Sequence, residues 1–431
     1  MDNERRKISQ FTLMLQSQTQ LPLWSLANEK VIYSIAVGET PIWGPKTRIL
    51  RHIMAIAYKF YLSDFLIFII GSIQSFFIWW NVKKNTFSKQ NKMAFKRVFA
   101  GFGASSEEYL YEKYVNQSQD LTLRINWTKH KGLSELGCPS FLSILFMLTK
   151  NSFGYTSKLK QAQQEISANR LEFLTVCALN IANYAFYNSY WRIAKQQGIQ
   201  EAAFVTPDIL SVACIDVGIN SIYFQHGLLA LSILIPKFKR IDVLTQEEEN
   251  YLKNSLKDVQ INKMIHVINT KNTKNKVLLV LSINVFQQER LLACESLFQW
   301  AKEKGLQIVI RPTSRATKDD LKTLSTNIPE ALIDDVTVPL EESLKKWNPK
   351  IVAAWTSTGL VTALEHEYLP ISLFDPSVKE VWCNMIYPLK DRVLFWPRDR
   401  LLIESSMQSE ENYAAQIFNL LQYQNLILES C

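Results

Sequence analysis

Short apolar runs alternate with helical patterns over the second half of the chain. The runs at 202–206, 221–225, 240–245, 277–281, 308–310, 351–355 and 370–374 read as buried strands. The segments between several of them carry apolar residues at helical spacing over about ten to fifteen residues, and this alternation predicts parallel sheets with right-handed crossovers.

The same pattern begins further upstream, at Arg97. Residues 97–101 predict a strand, followed by a glycine turn and a helix capped by Ser105, with Glu108 three residues later. Residues 121–127 predict a second strand, and 157–198 predict a long helix. Nearer the N-terminus, apolar side chains alternate at Tyr33, Ile35 and Val37, which is typical of a strand.

The segment 60–82 has the most unusual composition of the chain. Its 23 residues include a single charge, Asp64, and eight aromatic side chains, and lysines and arginines flank it on both sides. Three interpretations remain open: a helix that spans a bilayer, a helix that lies in the membrane interface, and a helix buried in the protein or at a dimer contact. The terminal tryptophans beside lysines favour the interfacial helix.

A polar tract at 269–276 contains no apolar residue and predicts an interdomain linker. We therefore expect an N-terminal region at 1–96, a first Rossmann-like domain at 97–268 and a second at 277–431. A chain of 431 residues is long enough for two hydrophobic cores.

The net charge of +8 favours an anionic partner, such as nucleotide phosphates, nucleic acid or acidic lipid headgroups. The six cysteines are scattered without a Cys-x-x-Cys pair, which argues against a zinc ribbon or a redox pair. The charged start of the chain is not followed by an apolar signal region. Together these features predict a reducing, cytoplasmic compartment.

Candidate chemistry in the first half follows the strand at 221–225, which ends in Gln225, His226 and Gly227. In open α/β sheets ligands bind at the carboxyl ends of strands. A histidine there can hold its imidazole at the mouth of a cleft, or it can simply end the strand and bond a neighbouring carbonyl. Gly101 and Gly103 end an earlier strand, where they allow either a ligand contact or a plain turn.

In the second half the unusual residues also follow strands. A turn at 356–359 leads into a helix whose N-terminus suits a phosphate, although it also fits an ordinary cap. Glu365 on that helix can accept from ribose hydroxyls, or it can be a solvated acid. Arg311 can pair with phosphate oxygens, or it can be a surface arginine. The candidate donor-binding residues are Ser282, Asn284, Arg311, Thr356, Ser357, Thr358, Gly359 and Glu365.

Several motifs are absent from the sequence. It contains no Asp-x-Asp, no GxxxxGK[ST], no GxGxxG and no HExxH. These absences argue against a divalent-metal clamp, ATP hydrolysis, dinucleotide binding and a zinc site of that type. We expect no cofactor and no resident metal.

The order of these motifs resembles bacterial surface-polysaccharide glycosyltransferases of the GT-B fold. The resemblance is to the sialyltransferase-like, Kdo-transferase-like and teichoic-acid-polymerase-like enzymes, and it covers residues 200–376 best. Where those families often carry His-Pro, this chain has Arg311-Pro312, and their usual Ser-Ser pair is replaced by Thr356-Ser357-Thr358.

The resemblance implies two Rossmann-like domains facing a cleft and an inverting transfer from a CMP- or CDP-linked donor without metal. The acceptor would be a glycan or a lipid-linked molecule. His226, Glu107 or Asp216 would deprotonate it, and Arg311 and the 356–359 turn would stabilise the departing phosphate.

The function expected is therefore a glycosyltransferase, or a polyol-phosphate transferase, in capsule or lipopolysaccharide synthesis at the inner face of the cytoplasmic membrane. The alternative is a non-catalytic α/β scaffold of a polysaccharide synthesis or export complex. A nucleic-acid binder ranks last because the clustered lysines lack interleaved stacking aromatics.

Overall fold

The computed structural model describes residues 2–17, 29–39, 44–86, 95–103, 106–157, 170–264, 274–283, 288–312, 316–355, 357–373, 383–386 and 393–408. The chain forms two compact units. The first comprises Met1–Gly103 and Leu110–Met264, and the second comprises Ala104–Tyr109 and Ile265–Cys431.

The first unit begins with helices. They are α1 (Asp2–Ser17), α2 (Glu29–Val37), α3 (Pro45–Lys59) and α4 (Ser63–Thr86). The strand expected around Tyr33 is wrong. Val31, Ile32 and Tyr33 are all buried in succession, whereas a strand with one covered face would bury alternate residues.

A six-stranded parallel sheet follows, in the order β2-β1-β3-β4-β5-β6. Its strands are β1 (Arg97–Gly101), β2 (Thr122–Asn126), β3 (Glu201–Phe204), β4 (Asn220–Phe224), β5 (Arg240–Val243) and β6 (Gln260–Lys263). Its helices are α5 (Ser106–Val115), α6 (Phe141–Ser152), α7 (Arg170–Gln196), α8 (Ile209–Val217) and α9 (Gln246–Ser255). The first four residues of α5 belong to the second unit.

The second unit holds another six-stranded parallel sheet, in the order β12-β11-β10-β7-β8-β9. Its strands are β7 (Asn275–Ile283), β8 (Gln307–Pro312), β9 (Leu332–Ile333), β10 (Pro349–Ala354), β11 (Leu369–Ser372) and β12 (Leu394–Phe395). Its helices are α10 (Gln288–Glu303), α11 (Lys318–Asn327), α12 (Leu340–Trp347), α13 (Thr358–Glu365) and α14 (Arg400–Gln408).

The two parallel sheets confirm the fold class expected from the sequence, two Rossmann-like α/β domains as in the GT-B fold. The N-terminal apolar helix is confirmed as α4. The expected linker lies largely outside the described residues, but its last two residues, Asn275 and Lys276, belong to β7. The domain boundaries otherwise stay predictions.

Central strands are more completely buried than the edge strands β2, β6 and β9. β10 is buried along most of its length, as expected for a central strand of a parallel sheet covered on both faces. Short strands such as β9 and β12 have only two residues each, too few for a period, and the sequence did not predict them.

Candidate functional site

The strand order of the first sheet defines where a ligand can enter it. From β1 the chain moves to β2 on one side and then crosses to β3 on the other. The carboxyl ends of β1 and β3 therefore form the topological switch point, the place where open α/β sheets bind ligands. The residues that follow these strands are Phe102 and Gly103 after β1, and Val205 and Thr206 after β3.

His226 reaches this switch point from the end of β4. Its Nδ1 atom lies 2.7 Å from the carbonyl oxygen of Val205, and its ring packs edge-to-face on Phe102 at 4.9 Å. A carbonyl oxygen only accepts, so Nδ1 carries the proton and donates. In the neutral imidazole the lone pair is then on Nε2, which is the arrangement a general base requires.

Gln225 fixes the backbone that carries His226. Its side chain is fully buried, with Oε1 accepting from the Leu244 N–H at 2.9 Å and Nε2 donating to the Gly227 carbonyl at 2.7 Å. Nε2 also donates to Oε1 of Glu248 at 2.6 Å. Gln225, predicted as a cleft residue, therefore acts as a clamp on the 225–229 turn.

Glu248 completes this clamp from helix α9. Burial raises the pKa of its carboxyl group, although hydrogen bonds from Leu229, Gln225 and Thr245 act in the opposite direction. Thr245 and Glu248 also form a capping box at the start of α9. The turn that carries His226 is thus tied to a regular helix N-terminus.

Asp208 is a candidate that the sequence analysis missed. It follows β3 at the switch point and caps α8, accepting from Ser211 N–H at 3.1 Å and from Thr206 Oγ1 at 2.6 Å. Burial raises the pKa of Asp208 to about 6, despite these hydrogen bonds. The usable signal is Thr206-Pro207-Asp208 directly after the predicted strand at 202–206.

Gly103, which follows β1, is needed there for a steric reason. Gly103 has a φ of +90°, and a Cβ at this position would meet Nδ2 of Asn126 at 2.6 Å. Gly101 is the last residue of β1 and accepts from Trp127 N–H at 3.1 Å. The turn therefore needs glycine at 103, and its ligand contact stays a prediction.

The other two candidate bases differ in position. Glu107 lies in the first turn of α5, the helix that follows β1, and it is buried. Asp216 lies in the last turn of α8, at the edge of the sheet opposite to the carboxyl ends, where it accepts from Tyr184 Oη at 2.6 Å. The fold thus does not bring Asp216 to His226.

In the second sheet the switch point lies between β7 and β10. The helix after β10 starts there. Ser357 caps α13 by accepting from Gly359 N–H at 3.1 Å, so the ordinary-cap interpretation applies to this serine. A Cβ on Gly359 would meet Leu281 of β7 at 2.4 Å, so only glycine lets the helix start this close to the strand. Thr358 is the first residue of α13.

Other donor-site candidates are described only in part. Asn284 and Thr356 lie outside the described residues, and for Ser282 and Glu365 only the backbone is described. Glu365 ends α13, seven residues after Thr358, which corresponds to about 10 Å along a helix axis. The backbone of Glu365 therefore lies at the far end of α13 from the switch point.

Arg311 is the residue before the end of β8, away from this switch point, and its guanidinium group is hydrogen-bonded within the second unit. Nη1 donates to Asp334 at 2.8 Å, to Ser343 at 2.6 Å and to the Asp335 carbonyl at 2.7 Å, and Nη2 donates to the Val338 carbonyl. Arg311 is thus neither a surface arginine nor, in this structure, oriented as a phosphate fork. The reason is the buried carboxylate of Asp334, which requires a cation.

Asp334 stays charged within this cluster. Burial alone would raise the pKa of its carboxyl group, but hydrogen bonds from Ser343, Trp347 and Arg311 outweigh burial and lower it. The cluster joins the end of β8 to the loop before α12.

A pocket of about 350 Å³ lies at the opposite edge of the first sheet from His226. It is lined by Gly218, Asn220, Lys237, Lys239 and Lys257 among others, and it contains none of the predicted site residues. Within the described ranges no three His, Cys, Asp or Glu side chains are grouped so that they could hold a metal ion.

Comparison with known proteins finds no matching family model and no match among curated proteins. Among solved structures, the Methanocaldococcus jannaschii UDP-GlcNAc 2-epimerase in complex with UDP-GlcNAc and UDP is similar at 12% identity and a TM-score of 0.41. The match covers 76% of this chain and 99% of that one.

Two further structures are similar at the same level. The UDP-N-acetylglucosamine 2-epimerase of Rickettsia bellii has 10% identity and a TM-score of 0.42, covering 77% of this chain and 95% of the other. Acinetobacter baumannii MurG has 10% identity and a TM-score of 0.40, covering 78% and 99%. We base the fold on the two sheets themselves.

Proposed function

We propose that this protein is a glycosyltransferase that uses a nucleotide-activated donor, CMP- or CDP-linked, to build a bacterial surface polysaccharide. The transfer is inverting and needs no metal ion. The acceptor is a glycan or a lipid-linked molecule, and the protein works in the cytoplasm, in peripheral contact with the inner face of the membrane.

The observation that carries this proposal is the geometry of His226. The Nδ1–H bond to the Val205 carbonyl and the edge contact with Phe102 fix the ring at the switch point of the first sheet. In the proposed mechanism Nε2 takes the proton from the acceptor hydroxyl as that oxygen attacks the anomeric carbon, and the nucleotide leaves with the bonding electron pair.

Asp208 supports the same role from the end of the neighbouring strand. Asp208 is a second titratable group at this edge of the first sheet, and burial raises its pKa to about 6. A catalytic base benefits from a pKa near the working pH, so Asp208 is the alternative base to test beside His226.

Donor binding is assigned to the second unit. The start of α13, capped by Ser357 and held close to β7 by Gly359, offers backbone N–H groups and a positive helix dipole at the switch point of that sheet. Arg311 is left out of this role because Asp334 and Ser343 engage its guanidinium group.

Nucleotide binding is the first test of this proposal. The melting temperature of the full chain is measured with CMP, CDP, UDP, GDP and ATP, each with and without magnesium. A ligand that binds only the folded state raises the melting temperature. We expect a rise with CMP or CDP that does not depend on magnesium.

Two variants assign the result to a site. Gly359→Ala should weaken the nucleotide-induced shift, whereas His226→Ala should keep it, because the base acts on the acceptor and not on the nucleotide. If none of the nucleotides raises the melting temperature, the transferase proposal is contradicted and the non-catalytic scaffold remains. The observation that favours the scaffold is that Arg311 is bonded to Asp334 within the protein.

A further inference from the structure

Helix α4 has two faces along its length, and the described part of the chain covers only one of them. The covered face repeats every three or four residues and consists of Ser63, Ile67, Gly71, Ser75, Ile78 and Val82. The opposite face has the same period and is exposed to between 37% and 61%: Phe65, Ile69, Ile73, Phe76, Phe77 and Trp80. A helix of a soluble protein normally presents polar residues on its outer face.

The covered face is held tightly by the rest of the first unit. A Cβ on Gly71 would lie 2.9 Å from both Ile181 of α7 and Leu148 of α6, so α4 fits closely between these two helices. At the far end of α4 the indole N–H of Trp79 donates to the Pro139 carbonyl at 2.9 Å. The orientation of α4 is therefore fixed, and so is the direction of its outer face.

Asp64, the one acidic residue of α4, is hydrogen-bonded to the rest of the first unit. Asp64 accepts from the backbone N–H groups of Gly154 at 2.8 Å and of Thr156 at 3.0 Å, and from the Thr156 hydroxyl. These bonds join the start of α4 to the segment that follows α6. They satisfy the carboxylate within the unit.

Neighbouring elements extend the exposed apolar surface. Phe153 contacts Phe68 of α4 at 5.6 Å, and α6 also exposes Leu142 and Phe146 one helical turn apart. The turn between α3 and α4 exposes three consecutive apolar side chains, and α3 adds its own stripe. We call the following residues the apolar face: Ile49, Ile53, Ile56, Phe60, Tyr61, Leu62, Phe65, Ile69, Ile73, Phe76, Phe77, Trp80, Leu142, Phe146 and Phe153. This extent exceeds the scattered apolar residues of an ordinary soluble surface.

Positive charge accompanies this face. The helices α3, α4 and α6 carry seven lysines and arginines and, apart from Asp64, no acid. Two of the lysines stack on the tryptophans at the end of α4: Lys83 lies 4.4 Å from the Trp79 ring and Lys84 lies 5.6 Å from the Trp80 ring. Tryptophan and lysine together are typical of the boundary between lipid tails and headgroups.

We propose that the apolar face binds the surface of a membrane that contains anionic lipids, with α3, α4 and α6 immersed at the level of the headgroups. The apolar side chains enter the acyl boundary, and the seven cations pair with lipid phosphates. This partner matches both the residue types and the sign of the charge.

Helix α4 alone could span a bilayer by length and composition, since Ser63–Lys84 has a mean hydropathy of 1.7. Its packing argues against a spanning position. The helix lies along α7, whose Arg192 and Asn188 are hydrogen-bonded at 2.9 Å and whose Tyr184 binds Asp216. Spanning would draw these charged groups into hydrocarbon, where they are costly. An interfacial position leaves them in the protein.

Vesicle flotation of the full chain tests this proposal. The probes are phosphatidylcholine vesicles and the same vesicles with added phosphatidylglycerol. We expect the protein to float with the anionic vesicles and to bind the neutral ones more weakly. The double variant Phe77→Ser and Phe146→Ser should weaken binding about tenfold or more. The double variant Lys83→Gln and Lys84→Gln should lose about fivefold per lysine on anionic vesicles only.

Control variants change exposed residues elsewhere in the chain. Leu401→Ser, at a leucine that is 82% exposed on α14, and Lys322→Gln on α11 should leave flotation unchanged. Equal loss in controls and test variants would overturn the proposal. It would also fail if the chain were a stable dimer that the Phe77 and Phe146 changes dissociate and that does not float. This inference rests on the membrane contact in the proposed function and names the surface that makes it. The assay needs no nucleotide, so failure to float would remove the membrane contact, whereas the nucleotide-induced rise in melting temperature tests the transferase separately.

Discussion

The carboxyl edges of the two sheets both carry a basic residue after a buried strand, and the fold uses the two residues differently. The side chain of His226 lies at the switch point of the first sheet, where it donates to the Val205 carbonyl and contacts Phe102. Arg311 is the residue before the end of β8, which is not at the switch point of its sheet, and it neutralises the buried Asp334. His226 is thus a candidate for chemistry because its side chain reaches residues at the switch point from the next strand, whereas the guanidinium group of Arg311 is bonded to a buried carboxylate.

The largest effect is expected for Arg311→Ala. Removing the guanidinium group leaves the Asp334 carboxylate buried without its cation, which costs about 3 kcal/mol or more of unfolding free energy. Urea unfolding of the variant measures this loss. Arg398→Ala, at an exposed arginine, should change the stability little.

A phosphate clamp would give the opposite pattern for Arg311. In that case Arg311→Ala would fold with unchanged stability and lose only the nucleotide-induced rise in melting temperature. That result would mean that Arg311, like His226, serves the site and not the stability of its unit.

Gly359→Ala sharpens the comparison at the second switch point. The added methyl group would lie 2.4 Å from Leu281, and forcing the helix start away from β7 should cost about 1–3 kcal/mol. Chemical unfolding measures it. Gly44→Ala is the matched control, because a Cβ there meets nothing within 4 Å. Equal stability of the two variants would contradict the close packing of α13 on β7.

A smaller effect concerns pH and Asp208. The folded-state pKa, about 6, is above the unfolded value, so the folded protein binds the proton more tightly. This contribution to stability is fully present below the unfolded pKa and is lost as the pH rises from about 4 through about 6. Asp208→Asn should remove that part of the pH dependence, as thermal unfolding at a series of pH values can show. An unchanged slope would contradict burial of the carboxyl group.

The sequence predicted the long elements because their period and length are unambiguous. It placed β1, β3, β4, β7 and β10 within a few residues, and it found the apolar helix α4 and the long helix α7. It did not predict helix α2, because the apolar residues Tyr33, Ile35 and Val37 alternate as in a strand, and the burial of Val31, Ile32 and Tyr33 is visible only in the structure.

The site was harder to predict than the fold for a physical reason. Strand order is set by long-range packing, and it decides that His226 meets Phe102 and Val205 while Asp216 lies at the other edge. The burial of Asp334 decides the partners of Arg311, and the residues 334–343 that make this contact carry no motif.

The central claim is that His226 is the catalytic base at the switch point of the first sheet. It is tested most directly by measuring the donor turnover and the melting temperature of His226→Ala. The release of CMP is measured for the wild type and for the variant with two donors. With CMP-sialic acid the acceptor oxygen attacks the anomeric carbon, and with CDP-glycerol, the polyol-phosphate case, it attacks the glycerol-bound phosphorus; CMP leaves in both. We expect the rate to fall about 10²- to 10⁴-fold with the donor that the wild type uses, while the melting temperature and the nucleotide-induced shift stay nearly unchanged. An unchanged rate in a folded variant would contradict the assignment of His226 as the base at the switch point.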